Sequence, residues 1–100
     1  MIYEVKWTFS ATRSYFEEVD FIYQKWTIKE VVNFEKLVND EIVRISQNPL
    51  IGKLNYKNTC SLTLSKQTTL FYRVNEKSHS IELILFWNNL KNPNDLLKLL

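Results

Sequence analysis

The sequence predicts an α+β fold in the order β-α-α-β-β-β, with a helical hairpin packed on one face of an antiparallel sheet and a short C-terminal helical turn. Three observations carry this reading. Residues 2–8 alternate between apolar and polar side chains, the period of a half-buried strand. Thr27 and Glu30 have the spacing of a capping box between two stretches of helical periodicity. Residues 69–87 are two apolar, β-branched and aromatic runs around a polar break, the pattern of a β-hairpin.

In the first strand Tyr3, Val5 and Trp7 fall on one side, and Glu4, Lys6 and Thr8 on the other. Ser10 then offers an N-cap. Ala11, Tyr15, Val19, Ile22 and Trp26 recur at helical spacing and make an apolar stripe. Phe16, Phe21 and Tyr23 widen it, so cover on more than one side of this helix is expected. At Trp26 one helix ends and another begins. Thr27 and Glu30 supply the capping box, and Trp26 and Val31 are placed for a hydrophobic staple. So short a link folds the two helices back on each other.

The second helix buries Val31, Phe34, Val38, Ile42 and Ile45, and carries Lys36, Asp40 and Arg44 at i,i+4 steps on a solvated face. Asn48-Pro49 stops it, because proline restricts the residue before it and cannot continue the helix. Residues 50–58 read as a loop holding the only glycine, Gly52. Cys60 to Leu64 alternate as a short strand, and residues 65–68 turn into the hairpin. Near the end Asn92 is an N-cap, Pro93 takes the first helical position and Asp95 lies near the positive dipole end. The leucines that follow, Leu96, Leu97, Leu99 and Leu100, make a turn too short to stand alone, so it must dock.

The chain of 100 residues is one domain, 1–100, with 45% apolar and 14% aromatic residues to stock a core. Its charge of +2 is unevenly spread: residues 1–48 balance at −2 and residues 49–100 at +4. The second half can therefore face an anionic partner. The single cysteine forms no internal disulfide, which fits a reducing compartment. The first residues lack the pattern of a signal peptide, and no apolar run approaches the roughly 18 residues of a membrane span. A cytoplasmic protein without a membrane partner is expected.

Little here announces catalysis. The only histidine, His79, sits in the hairpin turn, where a general acid or base would have neither pocket nor orienting partner. One Cys and one His exclude the standard zinc sites, and one glycine excludes a Gly-rich phosphate loop. Cys60 reads as a small buried hydrophobe. No cofactor is expected. The sheet is more informative, because helices cover only one of its faces. Leu70, Tyr72, Val74, Leu83 and Leu85 are expected to meet them. That leaves a second apolar face holding Phe71, Ile84 and Phe86, to be covered by the chain's own C-terminal leucines or by a partner.

The order of these elements and several local runs resemble the RelE/ParE superfamily of bacterial toxins from type II toxin–antitoxin pairs. Val5-Lys6-Trp7-Thr8 followed by Ala11 is similar to the family's opening strand and its entry to the first helix. Tyr23 and Trp26 resemble the aromatic end of that helix. Asn48-Pro49 and Gly52 match the junction after the second helix. Leu70-Phe71-Tyr72-Arg73-Val74 is close to the family's "lYRV" strand, and Phe86-Trp87-Asn88-Asn89 through Asn92-Pro93 resembles the tail of the ParE-like branch.

The resemblance implies a growth-inhibiting toxin that acts by protein binding, with DNA gyrase the usual target of the ParE-like branch. It also implies a cognate antitoxin encoded next door, with the toxin in a homodimer or a hetero-oligomer with that antitoxin. The alternatives are a ribosome-dependent mRNA endonuclease of the RelE-like type, and a member that only binds its antitoxin. Where the ribonuclease branch projects basic residues, this chain has Ser61, Thr63, Thr69 and Asn89. None of these can stabilise developing phosphorane charge. Where the ParE-like branch commonly has arginines, it has Cys60 and Leu90. The expected target- or antitoxin-binding surface is Lys53, Lys57, Phe71, Arg73, Phe86, Trp87, Asn88, Asn89 and Lys91, with no catalytic set and no metal site.

Overall fold

The computed structural model describes residues 2–100. The elements are β1 (Glu4–Trp7), α1 (Phe9–Lys25), α2 (Ile28–Gln47), β2 (Lys53–Leu54), β3 (Cys60–Thr63), β4 (Thr68–Asn75), β5 (Ser80–Asn88) and α3 (Pro93–Leu99). Single 3-10 turns flank β2. The five strands form one sheet in the order β1-β5-β4-β3-β2.

The sheet is mixed, where an antiparallel one was expected. β2 to β5 are antiparallel neighbours, but β1 joins β5 in parallel, with Glu4 opposite Ser80 and Trp7 opposite Leu83. α1 runs on along β5 past the end of β1, with Ser14 bonding Phe86 N and Glu18 bonding Thr68, and α2 brings the chain back to the start of β1, where Ser46 O accepts from Tyr3 N (2.8 Å). β3, β4 and β5 then alternate in direction, so β5 runs the way β1 does. The two-residue strand β2, within what reads as a loop, adds an antiparallel edge beside β3.

Thr8, not Ser10, caps α1. Its Oγ1 accepts from Ala11 N (3.0 Å) and donates to Leu83 O of β5 (2.7 Å). Six residues on, Ser14 Oγ accepts from Phe86 N (2.9 Å) and donates to Ser10 O (2.7 Å). Where β1 ends, hydroxyls of α1 continue the bonding along β5. α2 begins after Thr27 as expected, although the Thr27 side chain makes no capping bond. Lys36 pairs with Asp40 (3.1 Å), while Arg44 turns to Glu41 (3.0 Å). Both pairs are at the surface and contribute little.

Between helices and sheet lies the main core: Ala11, Ile22, Val31, Phe34, Val38 and Ile45 against Cys60, Leu70, Tyr72, Ile81, Leu83 and Phe86. Phe86 stacks on Trp7 (5.4 Å between centroids) and meets Tyr15 edge-on at the same distance. Two polar pairs are built into this layer. Thr68 Oγ1 donates to the buried carboxylate of Glu18 (2.6 Å), and Tyr72 OH donates to Pro49 O (2.8 Å) while accepting from Gly52 N (3.0 Å).

Gly52 is required at this point because a Cβ there would collide with the Tyr72 hydroxyl. Gly52→Ala is therefore expected to destabilise the fold. Tyr72→Phe alone is expected to cost about 1–2 kcal/mol, the cost of leaving buried groups unpaired. In the double variant the two losses should fall short of additivity, because removing the hydroxyl makes room for the methyl. Urea unfolding of the three variants measures the shortfall.

Burial raises the pKa of both the Cys60 thiol and the Tyr72 phenol, and the two are cross-strand neighbours. A folded-state value above the unfolded one favours the folded state while the group stays protonated. Stability should then hold below the ordinary thiol value of 9.0 and fall as pH rises above it. Cys60→Ala should remove the earlier part of that decline in unfolding experiments run from neutral to alkaline pH.

Candidate functional site

β4 and β5 pair in register from both ends, and the two registers do not meet. Phe71 lies opposite Leu85 and Tyr72 opposite Leu83, which leaves Ile84 as an extra residue on β5. This is a β-bulge, and it reverses the side to which every later residue of β5 points. Ile81 and Leu83 face the helices. After the bulge Phe86 faces them, while Leu85 and Trp87 face away.

Two expected placements are thereby corrected. Leu85 belongs to the far face instead of the helix side. Phe86, placed by simple alternation on the partner-facing surface, is 3% exposed in the helix-side core. The physical reason is the same for both, since one inserted residue flips the parity of the strand.

Cross-strand rows define the far face. Lys53, Ser61, Phe71 and Leu85 form one row across four strands, and Thr63, Thr69 and Trp87 form another. Phe71, Ile84, Leu85 and Trp87 make a second apolar cluster, and α3 seals it with Leu96 and Leu100. The chain's own tail covers the apolar centre of this face. α3 starts as its sequence predicts: Asn92 Oδ1 accepts from Asn94 N (3.0 Å), and Pro93 takes the first helical position.

The remaining candidates fall into two groups. At the tail exit Asn88 is buried, its Oδ1 accepting from Leu90 N (2.8 Å). Asn89 is exposed but fastened. Its Oδ1 accepts from Thr69 Oγ1 (2.9 Å), its Nδ2 donates to Lys66 O (3.1 Å) and its backbone N donates to Gln67 O (2.6 Å). Lys91 Nζ lies 5.8 Å from the Trp87 ring centroid. Toward the other end of β4, Arg73 sits half-buried opposite Glu82, and its Nε donates to Lys57 O (3.4 Å). Lys53 is exposed on the edge strand. Arg73 thus lies toward the opposite end of β4 from the tail exit, while Lys53 stands at the sheet's edge in the row of Phe71 and Leu85.

Chemically the far face offers hydroxyls, amides and a few cations at its margins. The row positions Ser61, Thr63 and Thr69 carry no charge. Cys60 is buried toward the helices. Burial also pushes its thiol pKa up. His79 is exposed in the β4–β5 turn, edge-on to Tyr3 at 5.4 Å. No group of three potential metal ligands occurs among the described residues. No helix of the described residues is long and apolar enough to cross a membrane.

A second concave feature lies on the helix side. A cleft of about 340 Å3 opens between the helical hairpin and the β3–β4 turn. Ile22, Trp26, Phe34 and Leu37 supply its apolar wall, and Glu30, Asn33, Lys66 and Gln67 are polar members. Lys66 and Gln67 also hold Asn89, so one turn connects the cleft with the tail exit. Sequence periodicity misses this cleft because its wall is a by-product of how the hairpin meets the turn.

The architecture is an α+β arrangement of a helical hairpin on one face of a five-stranded mixed sheet. Its similarity to a chain of the toxin–antitoxin complex RelBE2 from Mycobacterium tuberculosis has a TM-score of 0.62 and extends over 89% of this chain and 100% of that one, at 18% sequence identity. At that identity the likeness is one of fold. No protein-family model matches the sequence, and no curated protein matches it.

If α3 alone seals the far face, ending the chain after residue 92 will open it. Trp87 should become accessible to acrylamide quenching and the protein should bind a hydrophobic dye. Far-UV circular dichroism should keep the signal of the two long helices. A truncated chain with Trp87 still shielded would mean that something other than α3 protects it.

Proposed function

We propose that this chain is the toxin component of a type II toxin–antitoxin pair, of the ParE-like branch, which acts by binding a protein target and is neutralised by a cognate antitoxin. The observation that carries this reading is the far face itself. In a fold shared with a toxin–antitoxin complex, the central strands present Ser61, Thr63 and Thr69 around an apolar cluster, with Arg73, Lys53 and Lys91 at its margins. Such a face suits protein recognition better than phosphodiester cleavage, which needs cations aimed at the reacting phosphate. DNA gyrase, the usual target of the branch, is the target class proposed.

Neutralisation has two places to act. An amphipathic antitoxin helix can lay apolar side chains in the cleft at Trp26, Phe34 and Leu37, in the helix-in-groove mode. An extended segment can continue past Asn89 to the far face, passing over α3 or displacing it. The adjacent gene is the expected source of this partner.

Induced expression with and without the neighbouring gene tests the proposal. Induction alone should arrest growth and alter plasmid supercoiling, and co-expression should restore both. Growth arrest with normal supercoiling but cleaved message on translating ribosomes would favour the endonuclease reading, built on Lys53, Lys57, Lys66, Arg73 and Lys91. Normal growth at good soluble yield would indicate a member that only binds its antitoxin. Within the proposed reading, Arg73→Ala should weaken toxicity while leaving the thermal midpoint within a few degrees, because the residue is only half-buried.

A further inference from the structure

The outward face of α1 carries three largely exposed aromatic rings, of which Phe16 meets Tyr15 edge-on (5.5 Å between centroids). Phe9, Phe16 and Tyr23 are 81%, 60% and 60% exposed. Spaced seven residues apart, they stand within about 20° of one line along the helix. That line is opposite Ala11, Ser14 and Glu18, the buried side of α1. The sequence pattern suggests that Phe16 and Tyr23 widen a covered stripe; in the structure they point away from the protein.

Arg13 and Asp20 complete a row, Phe9-Arg13-Phe16-Asp20-Tyr23, with the alternating three- and four-residue spacing of a coiled-coil seam. All five side chains are exposed. Neither Arg13 nor Asp20 has an ion-pair partner among the described residues.

The row is complementary to itself in one direction only. Aligned antiparallel about Phe16, two copies of α1 place Phe9 opposite Tyr23 of the second copy and Phe16 opposite its equivalent. Arg13 then comes within about one residue's rise, ~1.5 Å along the axis, of Asp20 of the second copy. The two-fold axis repeats that pair at the other end, as a closed dimer requires. A parallel alignment would set Arg13 against Arg13 and Asp20 against Asp20.

We propose that a second copy of this chain covers this face, forming a two-fold dimer through antiparallel α1 helices. Three aromatic side chains offer at most about 150–250 Å2 each. The contact therefore falls at or below the roughly 800 Å2 per partner of a standard interface. The dimer should be weak and concentration-dependent.

Sedimentation equilibrium of the full chain, from micromolar to millimolar concentration, tests this. A monomer–dimer equilibrium is expected. Phe16→Glu should abolish the dimer, with far-UV circular dichroism and thermal midpoint unchanged because the side chain is exposed. Asp20→Arg should weaken dimerisation about tenfold by replacing two attractive pairs with repulsive ones. The double variant Arg13→Asp/Asp20→Arg should recover it.

Three results would overturn the proposal: a wild-type chain that stays monomeric at millimolar concentration, a Phe16→Glu chain that still dimerises, and a double reversal that fails to recover. A monomer that loses antitoxin binding on Phe16→Glu would assign the face to that partner and also reject the dimer.

Discussion

The extra residue at Ile84 is the constraint on which the rest of the structure depends. A regular β5 would send Leu85 and Trp87 to the helices and Phe86 to the far side. With one residue inserted, Phe86 enters the aromatic group of Trp7, Tyr15 and Phe34. Leu85 and Trp87 join Phe71 to found a second core. Because parity changes in mid-strand, a single strand serves two layers, and the sheet carries a buried apolar cluster on each face in a chain of only 100 residues.

Both layers are tied to that strand by polar contacts that local patterns do not specify. Thr8 and Ser14 bond β5 on either side of the bulge, so α1 is registered against the strand where its regular pairing changes. On the far side Asn89 bonds Thr69 and Lys66, which holds the chain's exit against β4 before α3 turns back over the cluster. The Ser14 bond to Phe86 N also satisfies a buried backbone donor that would be costly to leave unpaired.

This arrangement alters what the far face can offer. A fully exposed apolar patch would be a hazard as well as a binding site. Here the apolar centre is covered by a seven-residue helix that cannot hold its shape without docking. The open positions around it are hydroxyls, amides and marginal cations. Such a face offers shape and a few hydrogen-bonding groups, and docked α3 keeps its apolar centre covered.

Much of the fold is legible in local patterns. The alternation of residues 2–8, the helical spacing through Ile45, the break at Asn48-Pro49, the β4–β5 hairpin and the Asn92-Pro93 start of α3 each follow from the period or backbone chemistry of neighbouring residues. Sequence by itself also determined the chemical poverty of the central strands, because residue identity alone decides whether a lysine or a threonine stands there. Only the tertiary structure decided the direction of β1 beside β5, the side taken by Phe86 and Leu85, the closure of the far face by Leu96 and Leu100, and the exposure of Phe16 and Tyr23. These depend on partners distant along the chain. A bulge is selected by what α1 and β4 require of β5, and a ring on a helix is buried only if the fold places another element over it.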